Sequence, residues 1–172
     1  MLTMSSIFKY TIQILKGFFM LFSASTLDFS VLPYEEGVTR PVTKPDPGFL
    51  ADIGEEGMRE LFVRFYTCLH ESPIKDLFPE DWDDMLKAAD NSANFFIQIC
   101  GGPDYFTQHK GAPQMRKKHT PFTIIPESRL DWLACFREAL QLIIEEKQSS
   151  EAHIQSFWNY LNSFSIWMIN AR

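Results

Sequence analysis

The chain has 172 residues, of which 45% are hydrophobic, 22% charged and 15% aromatic, and its formal net charge at pH 7 is −6. This composition is that of an ordinary globular domain, which can bury one hydrophobic core without a structural zinc ion or a disulfide. The acidic balance argues against a nucleic-acid-binding protein, because phosphate contacts need a dense basic surface.

Residues 1–32 contain a short apolar run, Gly17 to Phe22, which follows Lys9 and Lys16. The run is too short and too charged to span a membrane. Three interpretations stay open: a secretion signal over residues 1–25, an amphipathic membrane anchor, or residues added by an upstream start codon. We favour the third, and with it a cytoplasmic location. The first would export the protein, and the second would be its only route to a membrane.

Four prolines, Pro33, Pro41, Pro45 and Pro47, follow this start and disfavour helical structure. They predict a boundary between an N-terminal extension over residues 1–47, disordered or partly removed, and a compact domain over residues 48–172.

Helical periodicity dominates the compact domain. Apolar residues recur at helical spacing from about Gly54 to Leu69 and end at Ser72-Pro73. Similar patterns predict helices over about 83–100, 113–118, 126–147 and 154–168, whereas 101–112 is predicted to be irregular. Leu130 and Leu133 are expected to face the core. No segment alternates like a strand, so we predict an all-α fold.

The three cysteines, Cys68, Cys100 and Cys135, form neither a C-x-x-C nor a C-x-x-C-H motif. Their odd number favours a reducing compartment, in which each is a small core residue. Four basic residues, Lys110, Arg116, Lys117 and Lys118, fall within nine positions of this acidic chain. We expect an anionic group to approach there.

Six features in one order resemble the group II truncated haemoglobins over about residues 48–172. They are Phe65-Tyr66, Phe78-Pro79, Gly101-Gly102-Pro103, Lys110-Gly111-x-Pro113, His119-x-Pro121-Phe122 and Trp132. The resemblance implies a truncated globin, a two-over-two helical sandwich around haem b and its iron.

The resemblance assigns His119 as the proximal iron ligand, with its second ring nitrogen oriented by a backbone carbonyl or water. Tyr66 and Trp132 would donate hydrogen bonds to a ligand on the distal side. The other expected haem contacts are Phe65, Phe78, Ala88, Ser92, Tyr105, Phe106, Arg116 and Phe122. Of these, Ala88 and Ser92 would lie on the distal helix, Tyr105 or Phe106 at the haem edge, and Arg116 beside a propionate.

Two distal donors would retain a diatomic ligand of partial negative charge, since each such hydrogen bond contributes about 1.5–3 kcal/mol. Slow release of dioxygen fits redox chemistry on nitric oxide or peroxide, or gas sensing, better than bulk oxygen transport. Carbon monoxide would bind as well. The sequence has no G-x-G-x-x-G segment, so turnover would need a separate reductase. The alternative is a helical interaction or regulatory module without functional haem chemistry, and a structural zinc site ranks third.

Overall fold

A computed structural model describes residues 26–147 and 149–171. Six α-helices and one 3₁₀ turn make up its regular structure, and the described residues form no strand. They are α1 (Gly48–Glu71), the 3₁₀ turn (Lys75–Leu77), α2 (Trp82–Ile99), α3 (Tyr105–Lys110), α4 (Met115–His119), α5 (Pro126–Glu146) and α6 (Glu151–Met168). The predicted all-α class is confirmed. The three interpretations of the N-terminus fall largely on residues 1–25, which lie outside the described residues.

Local chemistry sets several helix ends. The Asp81 side chain accepts a hydrogen bond from the Asp84 N–H, 3.1 Å away, and so caps the start of α2. The chain turns out of α2 at Gly101, whose φ of +88° favours glycine. Pro126 occupies the first turn of α5, where its missing N–H costs no helical hydrogen bond.

The structure corrects two of the predicted boundaries. α1 begins at Gly48 rather than near Gly54, and Gly54, with φ of +71°, kinks it. Residues 105–110 form α3, although the sequence predicts an irregular stretch there. One source of order in α3 is Gln98, whose side-chain amide accepts from the Thr107 N–H at 3.0 Å and donates to the Thr107 hydroxyl at 2.7 Å.

The four long helices form two layers, α1 and α2 in one and α5 and α6 in the other. Across the layers, Phe65 of α1 stacks on Phe136 of α5, with ring centroids 3.7 Å apart. Phe96 of α2 contacts Phe157 of α6 at 5.7 Å. These fully or almost fully buried rings form the centre of the core. Burial of each contributes about 1.5–3 kcal/mol, so the aromatic content serves the packing of the two-over-two sandwich.

The segment before α1 packs along α6. The Asp28 N–H donates to Gln155 at 2.7 Å, and the Trp158 indole donates to the Ser30 carbonyl at 3.1 Å. The Phe29 ring meets Trp158 edge-on at 5.1 Å. Residues 26–32 therefore make specific contacts with the helical domain. The division of the chain at residue 47 stays a prediction.

The cysteines differ from the sequence-based expectation. Cys68 of α1 and Cys135 of α5 form a disulfide, with Cα atoms 5.5 Å apart. The two side chains lie within bonding distance because their helices face each other, and their spacing along the chain does not predict this contact. Cys100 alone among the three is free, and it is buried as predicted. The disulfide removes the basis on which the cysteines favoured a reducing compartment. In the described part of the chain, no helix combines the length and apolarity that crossing a membrane requires.

Candidate functional site

A cavity of about 350 Å³ opens between the two layers and α4. This volume lies in the range of small-molecule sites, which run from about 300 to 1,000 Å³. Its wall is mainly aromatic and aliphatic, and it includes eight of the predicted site residues. They are Phe65, Tyr66, Phe78, Ala88, Ser92, His119, Phe122 and Trp132.

His119, at the end of α4, is held in one ring orientation by the preceding turn. Its Nδ1 lies 2.7 Å from the Met115 carbonyl oxygen. Because a carbonyl only accepts, Nδ1 carries the proton in the neutral ring and Nε2 keeps its lone pair. Within residues 26–147 and 149–171, Nε2 has no hydrogen-bond partner. The spacing of four residues places Met115 and His119 on one face of the helix, and both line the cavity.

A second group of contacts fixes the chain just after His119. The Asn170 amide donates to the carbonyls of His119 and Phe122, at 3.2 and 2.9 Å. The Asn170 side-chain oxygen accepts from the Ile124 N–H at 2.9 Å. Asn170 follows α6, so it joins the end of the chain to the turn that carries the histidine. α4 has only five residues, and such contacts stabilise it where its own helical hydrogen bonds are few.

Tyr66 brings a hydroxyl to the cavity from α1. Its Oη lies 2.8 Å from the hydroxyl oxygen of Ser92 in α2. Burial raises the pKa of Tyr66, and the Ser92 hydrogen bond opposes this only in part. The phenol therefore stays protonated at neutral pH and is available as a donor. Phe78 meets the Tyr66 ring edge-on, with the ring centroids 5.9 Å apart.

Trp132 supplies a second donor from α5. Its ring packs against Phe65 at 5.6 Å and Phe136 at 4.5 Å, both edge-on. Among the described residues, the indole N–H has no acceptor, although the side chain lines the cavity. Trp132 is half-buried, and with no protein acceptor its indole N–H is available to a ligand in the cavity. Tyr66 and Trp132 thus stand in one cavity with His119.

Arg129, one turn before Trp132, is a site residue that sequence patterns do not reveal. It is only 3% exposed, and it lines the cavity. Its guanidinium donates to the Ser165 hydroxyl at 3.0 Å and to the Asn162 side-chain oxygen at 3.1 Å. It forms no ion pair with any described carboxylate. Burial lowers the pKa of Arg129 to about 10, and the nearby Arg40 charge adds to this. Arg129 therefore adds positive charge to a mostly apolar wall.

Arg129 also occupies the inward position on α5 that the sequence assigns to Leu130. Leu130 is 52% exposed, so its predicted inward position is wrong. The register of α5 is set by Leu133, Phe136 and Leu140, which are fully buried, and this register turns position 129 inward. A prediction from apolar periodicity alone places a leucine, and not an arginine, at an inward position. No motif or spacing along the chain indicates a buried cation here.

Three predicted site residues lie elsewhere. The Tyr105 hydroxyl donates to Glu55 at 3.4 Å, and the Phe106 ring contacts Phe95 at 5.4 Å and lies 4.7 Å from the Lys118 ammonium. The Arg116 guanidinium lies over the Trp167 ring, 5.7 Å from its centroid. None of the three is part of the cavity wall. Their assignment to the haem edge and propionate stays a prediction.

The sequence does not assign the remaining lining residues to the site. They are Phe62, Ile74, Leu77, Pro79, Phe95, Phe96, Met115, Ile124, Ser128, Phe164, Ser165 and Met168. Helical register identifies two of them, because Met115 lies one turn before His119 and Ser128 one turn before Trp132. Apart from Ser165, the others are apolar residues that look like ordinary core positions in a single sequence.

These residues fit a haem. An imidazole whose Nδ1 donates to a carbonyl presents Nε2 as a ligand, which is how proximal histidines are held in haem proteins. The aromatic walls suit a flat macrocycle, and two N–H or O–H donors are available for a ligand at the iron. His119 would hold the iron, while Tyr66 and Trp132 would contact what binds there.

Comparisons with known proteins identify the family to which this fold belongs. A family model described as "bacterial-like globin" matches residues 50–170. The chain is 35% identical to the group 2 truncated hemoglobin YjbI of Bacillus subtilis over 89 residues, which are 51% of this chain and 65% of that protein. The match thus spans slightly less than two thirds of that relative.

Two solved structures are similar over longer stretches. Phosphate-bound Hell's gate globin IV has a TM-score of 0.74 at 33% identity, covering 83% of this chain and 88% of that one. The truncated oxygen-avid haemoglobin of Bacillus subtilis has a TM-score of 0.63 at 28% identity, covering 71% and 98%. The fold, the cavity and the family match lead to one conclusion: the chain belongs to the bacterial-like globin family of haem-binding proteins and is a group II-like truncated haemoglobin.

Proposed function

We propose that this globin holds haem b through His119 and retains dioxygen by hydrogen bonds from Tyr66 and Trp132, for redox chemistry or gas sensing rather than bulk transport. One observation supports this proposal above the others. A histidine with a free Nε2 shares an apolar cavity with a protonated phenol and an indole N–H that has no acceptor in the described structure.

The haem iron, when bound, supplies the coordination position for a diatomic gas and the electrons exchanged with it. The protein supplies the rest. The Met115 carbonyl fixes the His119 tautomer, and the apolar wall limits access of water. Tyr66 and Trp132 donate hydrogen bonds to the negatively charged end of the ligand.

The two donors account for the preference against transport. Hydrogen bonds to a charged group contribute about 1.5–3 kcal/mol each, and about 1.4 kcal/mol corresponds to a tenfold change in an equilibrium constant. Two such bonds therefore slow dioxygen release by on the order of 100-fold or more. The solved Bacillus subtilis relative is described as oxygen-avid. Slow release favours a reaction on the bound gas, with nitric oxide or peroxide as the second reactant, or a sensing role.

Electrons must come from another protein under this proposal, because the chain has no dinucleotide-binding sequence. We propose a separate reductase, with the cytoplasm as the location of both. Carbon monoxide is the non-reactive ligand with which the site is best examined.

Stopped-flow measurement of the dioxygen dissociation rate tests the proposal. The full chain is loaded with haem b, reduced, oxygenated and mixed with carbon monoxide. A slow rate, together with nitric oxide consumption that requires an added electron donor, supports redox chemistry. A slow rate without such consumption supports sensing. A fast rate would support oxygen transport instead. A chain that takes up no haem would support an interaction module on a globin scaffold.

A further inference from the structure

The disulfide lies within one helical turn of each proposed distal donor. Cys68 follows Tyr66 by two residues on α1, and Cys135 follows Trp132 by three residues on α5. The same two helices therefore carry both the disulfide and both donors. The covalent link joins residues 67 positions apart, so no short segment of chain duplicates the constraint.

Cys68 is the more exposed of the two bonded cysteines. Cys68 is half-buried, whereas Cys135 is only 3% exposed. Both line a shallow surface groove together with Pro73, Arg137 and Glu138. Exchange of a disulfide begins when a thiolate attacks a sulfur that it can reach. The geometry favours attack on Cys68, with Cys135 as the leaving group.

Close to the disulfide, α1 and α5 contact each other through tightly packed aromatic rings. Phe65 lies between Tyr66 and Trp132, 5.4 Å from the first and 5.6 Å from the second, and it stacks on Phe136 at 3.7 Å. A change in the separation of α1 and α5 here must move the donors, because close-packed interiors transmit displacement.

Breaking the bond removes the covalent tie that holds the two helices at this separation. Bonded sulfurs are about 2.05 Å apart, whereas atoms in non-bonded contact need roughly 3.5–4 Å, so the two thiols must separate by on the order of 1.5 Å. A misplacement of about 1 Å in a preorganised site can change a rate by on the order of 100-fold. Tyr66 and Trp132 would then lose part of their alignment toward a ligand.

We propose that Cys68 and Cys135 form a thiol–disulfide exchange site for dithiol reductants, whose redox state sets how long the pocket retains a gas. The effect on the gas rests on the proposed function. One thiol of a dithiol donor loses its proton, and the resulting thiolate attacks and bonds to Cys68 Sγ. The Cys68–Cys135 bond breaks, and Cys135 leaves with the electron pair and takes up a proton.

The second thiol of the donor then displaces Cys68, which takes up a proton in turn. The globin has gained two electrons and two protons, and the dithiol has become a disulfide. Cys100 does not take part, since it is buried and burial raises the pKa of its thiol to about 12.

The experiment uses the full haem-loaded chain, purified in air, with dithiothreitol as the probe. One half is treated with dithiothreitol under native conditions and desalted, and free thiols are counted by alkylation after unfolding. We expect one free thiol before treatment and three after it. We also expect dioxygen to dissociate at least threefold faster from the reduced form, and diamide to restore the slow rate.

Variants separate the possible causes. Cys68→Ala/Cys135→Ala should release dioxygen at the rate of the reduced form and ignore dithiothreitol, whereas Cys100→Ala should keep the response. Equal rates for the two redox forms with correct thiol counts would overturn the link to the pocket. Three free thiols in the untreated chain, or a bond that resists native reduction, would overturn the exchange site. If Tyr66→Phe and Trp132→Phe leave the rate unchanged, the proposed function fails while the thiol counts still test the exchange site.

Discussion

The hydroxyl oxygens of Tyr66 and Ser92 lie 2.8 Å apart, across the interface between α1 and α2. One of the two hydroxyl protons lies between the oxygens, and the other is available to a ligand in the cavity. Burial keeps the phenol protonated, so Tyr66 can accept from Ser92 and donate to the ligand at the same time. The pair therefore orients the donor before a gas enters.

Tyr66→Phe should speed dioxygen dissociation by roughly 10- to 100-fold, which corresponds to the loss of one hydrogen bond of about 1.5–3 kcal/mol. Stopped-flow replacement of dioxygen by carbon monoxide measures the rate. Tyr160→Phe is the matched control, because Tyr160 is buried in α6 and does not line the cavity. Equal rates in the two variants would remove Tyr66 from the distal site.

Trp132→Phe should have an effect of the same size, since it removes an indole N–H that has no other acceptor in the described structure. The control is Trp167→Phe, because Trp167 is 40% exposed and does not line the cavity. A double variant at positions 66 and 132 should be less than additive in free energy if both donors contact one ligand atom. A strictly additive double variant would place the two donors on separate partners.

Asn170→Ala should speed haem loss, because it removes three hydrogen bonds that hold the backbone around His119. Transfer of haem to an excess of an apoglobin with a distinct spectrum measures the rate. Asn159→Ala, an exposed change on α6 outside the cavity, serves as the control. An unchanged rate of haem loss would show that α4 holds its position without this contact.

Loss of the disulfide should lower the stability of the haem-free chain. A disulfide typically contributes about 2–4 kcal/mol, equivalent to about 5–15 °C in thermal midpoint for a domain of this size. Circular dichroism of Cys68→Ala/Cys135→Ala, with and without dithiothreitol, measures it. The reductant should lower the wild-type midpoint toward that of the variant and leave the variant unchanged. A wild-type midpoint unaffected by complete reduction would contradict the expectation.

His153 of α6 and Asp52 of α1 should give the fold a pH dependence. Their Nδ1 and Oδ2 atoms are 2.7 Å apart, and the Asp52 hydrogen bond raises the pKa of His153 while the His153 hydrogen bond lowers that of Asp52. The pair stabilises fully between about pH 4 and 6.5, the unfolded values of the two groups. The contribution disappears as pH rises through the folded pKa of His153.

Urea unfolding at pH 5.5 and pH 9 checks this pH dependence. His153→Gln should cost more stability at pH 5.5 than at pH 9, because the lost interaction is complete only at the lower value. His109→Gln, an exposed change on α3, is the control. An equal cost at both values would show that the charge of His153 does not matter to the fold.

The sequence predicted what periodicity and motif spacing encode. The helices over 83–100, 126–147 and 154–168 are confirmed within a few residues, since each has a continuous apolar stripe. Two features depended on tertiary contacts instead. α3 is ordered in part by Gln98, and the inward turn of Arg129 follows from packing of α5 against α6. The Cys68–Cys135 bond depends on α1 and α5 facing each other, and the spacing of the cysteines along the chain does not predict this.

The central claim is that His119 Nε2 holds the haem iron, and resonance Raman spectroscopy of the reduced, haem-loaded full chain tests it most directly. We predict an iron–histidine stretching band that disappears in His119→Ala and returns as an iron–imidazole band when imidazole is added. His109→Ala should keep the wild-type band. A band that survives unchanged in His119→Ala would contradict the account, because another side chain would then be the ligand.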